Sequence, residues 1–292
     1  MNRRALLTTI AGRRSTSVPL AMPTVAGGLE PYTGPWKFEQ AAHLLRRSMF
    51  GPTFGQINQA IEQGMEATVS MLLKDLPLPQ PPLNNNSSDP VVRLWDTWVD
   101  RAVPQGEPDA INKRRLSLRS WMIGELLDEG ISIREKMALL WLDHFVVELF
   151  IIRDPTYMYK HITLMREYAT GNFKELVKKI TIDPAMLRYL NGNKNDKNAP
   201  NENYARELLE LFTVGKGDLI GEGDYSTFTE QDVEQMARVL TGWKDVGFYK
   251  TDDNTQVRGE FQAARHDTGS KQLSYHLTIQ SSPTREIRNT NI

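Results

Sequence analysis

Three stretches of the sequence carry residues that could do chemistry. In the first, His144 and Glu148 stand four apart within SIREKMALLWLDHFVVELFII (132–152). On a helix that spacing lets both side chains reach one partner, as a metal half-site or an acid–base pair would. Its apolar residues, among them Leu139, Leu140, Leu142, Phe145, Val146 and Leu149, point in nearly every direction on a helical wheel. Such a helix is expected to be surrounded by other elements, and a histidine and a carboxylate inside it are the informative exception. The competing reading is a histidine hydrogen-bonded to a core carbonyl or to Glu148.

The second stretch is PNENYARELLELFTVG (200–215), where Glu202, Arg206 and Glu210 follow one another at i+4. Glu preceding Arg at this spacing is the favourable orientation for a surface pair, worth only a few tenths of a kcal/mol, roughly, per pair. Asn201, Glu202 and Asn203 suit the unpaired N–H groups of a first helical turn. Capping with an ion-pair ladder explains much of the motif, although the same residue types would serve a polar site at a helix start. The third stretch, RHDTGSK (265–271), puts Arg265, His266, Asp267 and Lys271 in one loop. His266 and Asp267 are too close in sequence to form a metal half-site alone; with Lys271 they suit an anion or acid–base cluster. His43, beside Arg46 and Arg47, reads as structural.

Helices must position these residues. KFEQAAHLLRRSMFG (37–51) places Phe38, Ala41, Ala42, Leu45 and Met49 on one face and stops at Gly51 and Pro52. Shorter patterns follow over 53–63 and 65–74, then a Pro- and Asn-rich loop over 76–90. Asp89 followed by Pro90 predicts a helix over 91–103. Residues 110–129 read as a long amphipathic helix whose Lys113, Arg114, Arg115 and Arg119 form a solvated face. Ser132 with Glu135 predicts a capping box for the apolar run. Asp154 with Pro155, Asn172 with Glu175, Asp183 with Pro184, and Thr229 predict four further helix starts. Residues 191–201 read as a polar loop and 216–228 as a Gly-rich one. Two short runs, 246–249 and 257–261, suit a hairpin. The pattern predicts an all-α, irregular bundle of about ten helices with one small β-hairpin near 246–261. The expected organisation is a basic leader (1–36), a single helical domain (37–271) and an irregular, poorly packed tail (272–292).

The bulk properties exclude more than they select. At 292 residues, 40% hydrophobic and 24% charged, the chain can bury a core as a soluble protein does. A net charge of −1 gives no global argument for nucleic acid or an anionic membrane. With no cysteine, thiolate zinc sites, iron–sulfur clusters, disulfides and thiol nucleophiles are ruled out. The phosphate-loop, dinucleotide, zincin and serine-hydrolase signatures do not occur. The apolar run of 132–152 is too short for a bilayer, so no transmembrane helix is expected. Arg3, Arg4, Ala5, Leu6 and Leu7 resemble the start of a twin-arginine export signal, with a disordered basic leader as the other reading. Compartment, periplasm or envelope against cytoplasm, stays open.

Six stretches in order resemble a bacterial family, domain of unknown function 1800: residues 41–53, 134–146, 171–192, 198–215, 225–243 and 265–271. PNENYARELLELFT is the most specific of them. The resemblance implies an architecture and a list of positions, with no settled activity. Where the family commonly reads Trp-His-Asn-His-Phe, this chain has Trp141, Leu142, Asp143, His144 and Phe145, so it keeps only the second histidine. Members of the family also look longer beyond the His-Asp-x-Gly-x-Lys motif, which implies a C-terminally shortened copy. Residue types and resemblance together predict that His144, Glu202, Arg206, His266, Asp267 and Lys271 converge on one catalytic pocket. There His144, Glu148 and His266 would hold a divalent metal for hydrolysis of a small-molecule or polymer substrate. The alternatives are a non-catalytic helical envelope or interaction module with a protein partner, whose motifs are caps and ion pairs, and a degenerate copy.

Overall fold

A computed structural model describes residues 31–277. The arginine-rich start of the leader, with its export reading, and the end of the tail lie outside the described residues. A compact unit begins at Trp36. It is all-α as the sequence predicts, with two small antiparallel sheets.

The first three helices, α1 (Phe38–Ser48), α2 (Phe54–Gln63) and α3 (Met65–Leu72), close around Ala41, Ala42, Leu45, Ile57, Ala60 and Leu72. Then come α4 (Pro108–Leu127), α5 (Arg134–His144), α6 (Leu149–Ile152), α7 (Pro155–Glu167), α8 (Phe173–Thr181) and α9 (Pro184–Tyr189). Helix α10 (Glu202–Glu207) widens into a π-turn at Leu208–Phe212, and α11 spans Glu230–Val239. Four of the predicted start signals hold, and Thr53 caps α2 in the same way. Thr53, Asp154, Asn172, Asp183 and Thr229 each accept a backbone N–H of the first turn they precede. The largest core joins Phe145, Met165, Leu176, Ile180, Tyr204, Phe212, Phe228 and Val233 from α5 through α11.

The hairpin pairs β3 (Trp243–Val246) with β4 (Arg258–Phe261), so its first strand begins three residues before the predicted one. The Gly-rich stretch, expected as a loop, forms a second small sheet from β1 (Leu219–Gly221) and β2 (Asp224–Tyr225). In the 191–201 loop Asn193 and Asn195 are buried, and the Asn195 amide donates to the Ala237 carbonyl of α11 at 2.8 Å.

Several expectations fail for tertiary reasons. Residues 91–103 are not helical. Asp89 does accept Val91 N and Val92 N, but Asn84 then takes the carbonyls of Val92 and Asp96, which a helix would need. Trp95 and Asp100 both have φ above +60°. Arg114 is not on a solvated face; it is buried in a two-pronged pair with Asp89 (2.8 and 3.2 Å).

The apolar run of 132–152 is two helices. His161 Nε2 lies 3.1 Å from the Phe145 carbonyl, Phe145 leaves the helical region (ψ 59), and Glu148 is extended ahead of α6. Nor is the run enclosed, since Leu140 is half exposed and Phe150 more so. The Ser132–Glu135 capping box is absent. Ser132 Oγ accepts Arg134 N, while the buried Glu135 carboxylate takes the Arg166 guanidinium at 2.8–2.9 Å.

Glu135 and Arg166 lock α5 to α7, with the guanidinium 4.2 Å from the centre of the Trp121 ring. Glu135→Ala strands a buried cation and is expected to lower stability by roughly 3–5 kcal/mol in urea unfolding. Burial pushes the neighbouring Glu129 carboxyl up from 4.5 to about 7, against the hydrogen bond it accepts from Glu135 N. The fold therefore favours its protonated form. That contribution is full below the unfolded value of 4.5 and is lost as pH rises to about 7. Glu129→Gln should flatten the fall in stability between pH 4.5 and 7, measured as urea midpoints across that range.

Candidate functional site

His144 is the last residue of α5, and its Nε2 is 2.9 Å from the Phe212 carbonyl, to which it must donate. Trp141, Phe145, Phe173 and Phe212 surround the ring, with Phe145 edge-on at 4.6 Å. Glu148 lies past the break and is exposed, so the two are not successive neighbours on one helix face. The core-carbonyl reading of His144 describes what is found.

Arg206 reaches away from its own helix. Its two terminal nitrogens grip both oxygens of Glu230, the first residue of α11, at 2.9 and 2.7 Å, whereas Glu202 is at 3.4 Å. That contact holds the Glu230 carboxyl below its ordinary value. Glu210 leaves the expected ladder and pairs with Lys216 at 3.2 Å, because the π-turn rotates it out of register.

At the other end of α11, Arg238 donates to Asp267 at 2.7 and 3.2 Å. Gly269 N also donates to that carboxylate at 2.8 Å, and Asp267 N donates to Thr241 Oγ1. Hydrogen bonding to Arg238 is the largest influence holding the Asp267 carboxyl down at about 2. Lys271 is buried, donates to the Asp267 carbonyl and sits 3.8 Å from its carboxylate; burial lowers its ammonium. His266 Nδ1 is 2.9 Å from the Thr241 carbonyl, and its ring meets the edge of Phe261. Gly242, between them, has φ +95, and a Cβ there would come within 3.1 Å of His266 Cβ and the Gln262 carbonyl.

The predicted residues thus fall into three groups: His144 with Phe212, Arg206 with Glu230, and His266, Asp267 and Lys271 with Arg238 and Thr241. Eight residues of α11 separate the partners of the last two, about 12 Å along a helix. Among the described residues no three His, Asp or Glu side chains gather as a metal ion would need, so His144, Glu148 and His266 form no such set. The tail begins by packing back. Ser274 N and Oγ both donate to Asp232, and His276 Nε2 is 3.1 Å from Asp224.

Sequence reasoning missed the most developed polar centre. Asp245, on β3, accepts Arg188 (2.8 and 2.6 Å), Tyr157 Oη (3.2 Å) and Asn193 Nδ2 (2.7 Å). Its carboxylate is nearly buried, and the Arg188 guanidinium lies 3.4 Å from the centre of the Phe248 ring. Burial first, then the negative charges of Asp245 and Asp154, push the Tyr157 hydroxyl well above its ordinary range. A second missed residue is His161, fully buried, with Nδ1 3.0 Å from Asp183 and Nε2 on the Phe145 carbonyl. A histidine on the Tyr157, His161, Leu164 face of a capped helix was the available signal.

A family model described as "Protein of unknown function (DUF1800)" matches residues 43–290. The chain belongs to this family. The match runs past Lys271, where the motif resemblance stops. No curated protein and no solved structure matches the chain. Leu142, where the motif resemblance implies a first histidine, is a half-buried side chain packed between two cores.

All three donors to Asp245 are in place, so the centre acts as a joint between α7, α9 and β3. Removing its charged donor should cost more than removing a neutral one. Arg188→Gln is expected to lower stability by roughly 3 kcal/mol or more and Tyr157→Phe by about 1 kcal/mol, read from urea midpoints. Equal losses would contradict the arrangement.

Proposed function

We propose that this chain is a non-catalytic helical interaction module, in which the family motifs fix helix packing. The observation that carries the reading is the state of Asp267. It is the carboxylate that sequence places best for acid–base work, yet Arg238 forks onto it, Gly269 N caps it and Lys271 stands beside it. Held at about 2, it is a counter-ion at neutral pH and not a proton acceptor. Arg206, expected in the same catalytic pocket, is likewise committed to Glu230. His144 spends Nε2 on a backbone carbonyl.

A metal-assisted hydrolase would need these groups to converge with open coordination positions, and the three separate groups favour fasteners over such a pocket. No helix among the described residues is long and apolar enough to cross a membrane. The module reading draws on surfaces for its activity.

The test is elemental analysis of the purified chain beside a His144→Ala/His266→Ala double variant, after incubation with zinc, manganese and iron. The expected result is sub-stoichiometric metal in both. Stoichiometric metal in the parent that disappears in the double variant would sink the reading and restore the hydrolase. In parallel, a double-mutant cycle on Arg238 and Asp267 should give a coupling of about 0.5–3 kcal/mol in unfolding.

A further inference from the structure

Between α4, α6 and the turn after β3 lies a cleft of about 410 Å³ that gathers Arg115, Arg119 and Arg153 with Tyr249. Among the described residues no carboxylate lines it. Arg115 is held rigid at every nitrogen: Nε donates to the Arg153 carbonyl (2.7 Å), one terminal nitrogen to Asn112 Oδ1 (2.7 Å) and the other to Tyr249 Oη (2.8 Å). All three acceptors are neutral. Arg153 Nε donates to the Phe150 carbonyl at 3.0 Å, and the Arg119 guanidinium lies 5.1 Å from the centre of the Phe150 ring.

The backbone beneath is constrained as well. Arg153 and Tyr249 take φ of 63 and 45, values that bulky side chains rarely adopt. Asp154 holds both sides of the site. It caps α7 through Thr156 N and Tyr157 N and accepts Tyr249 N at 2.7 Å. This fully buried carboxylate thus serves backbone donors and does not reach into the cleft. Glu148 precedes the wall residue Leu149 but is not part of the wall.

Three guanidiniums in one concavity repel each other, and a multivalent anion relieves that repulsion. The planar fork of arginine matches phosphate oxygens in pairs, which a point-charged lysine does not. Apart from Asn112, the rest of the wall is apolar, including Ile111, Leu149 and the exposed Phe150 ring. A volume of this size is within the range of small-molecule sites, roughly 300–1,000 Å³. We propose that the cleft binds a soluble phosphomonoester. Its phosphate sits among Arg115, Arg119 and Arg153, with the Tyr249 hydroxyl beside it, and its apolar body lies against Phe150 and Ile111. The assignment stands apart from the non-catalytic reading, since none of these residues belongs to the three motif groups.

The test is calorimetric titration of the full chain with phenyl phosphate at low salt, with phenol and inorganic phosphate as companions. One saturable site is expected for phenyl phosphate, competed by inorganic phosphate and absent for phenol. An Arg119→Gln/Arg153→Gln variant should lose at least tenfold in affinity. Arg119→Gln alone, which removes only a contact with a surface ring, should lose about threefold or more with an unchanged melting temperature. No saturable binding, or equal affinity in parent and variants, overturns the proposal. So does sedimentation with phosphatidic acid vesicles without saturation by phenyl phosphate, which would make the site a membrane contact.

Discussion

One imidazole decides how the middle of this chain is laid out. His161 is fully buried on α7, and its two nitrogens face the Phe145 carbonyl and the Asp183 carboxylate. The first contact takes a carbonyl just past the end of α5, and the second takes a side chain that starts α9 through Met186 N. Three helices therefore meet at one ring. A run of apolar residues that would continue as a single helix on local preference is ended where tertiary hydrogen bonding claims its backbone. With α5 stopped there, His144 sits at a helix end facing Phe212, and α6 is free to turn and form a wall of the arginine cleft.

The buried acids show how differently the same problem is met. Asp154 has no ion pair among the described residues and is satisfied by three backbone N–H groups, with burial pushing its carboxyl up. Asp245 has a full guanidinium, a phenol and an amide. Glu135 has Arg166 on both oxygens, and Asp89 has Arg114. Each ties together segments far apart in sequence, so the polar interior sets which helix meets which. Apolar packing alone would leave that choice looser.

What could be read from the sequence follows the range of the interaction. Thr53, Asp154, Asn172, Asp183 and Thr229 were legible as helix starts because a cap acts within three residues. The helical class and the hairpin were legible from periodicity. Asp89 carried the same local signal and misled, because Asn84 and Arg114 competed for the groups around it. Asp245 was invisible for the same reason: its donors come from 52 to 88 residues away. The motif residues stand out in the sequence by their charge. Their partners, Glu230 for Arg206 and Arg238 for Asp267, lay on another helix, so pattern reading along one helix found the charges and missed what they were paired with.

The π-turn at Leu208–Phe212 gives the segment one residue more than an α-helix of the same length would hold. It works as a phase shifter. Upstream of it, Tyr204 and Arg206 are in step with α8 and α11; downstream, Phe212 is in step with α5. The two halves of PNENYARELLELFTVG therefore answer to different neighbours, and the inserted residue sets the angular offset between them. Length at this point is a coordinate of the fold in its own right. A chain one residue shorter here could keep every side chain named above and still fail to present Phe212 and Arg206 to their partners together.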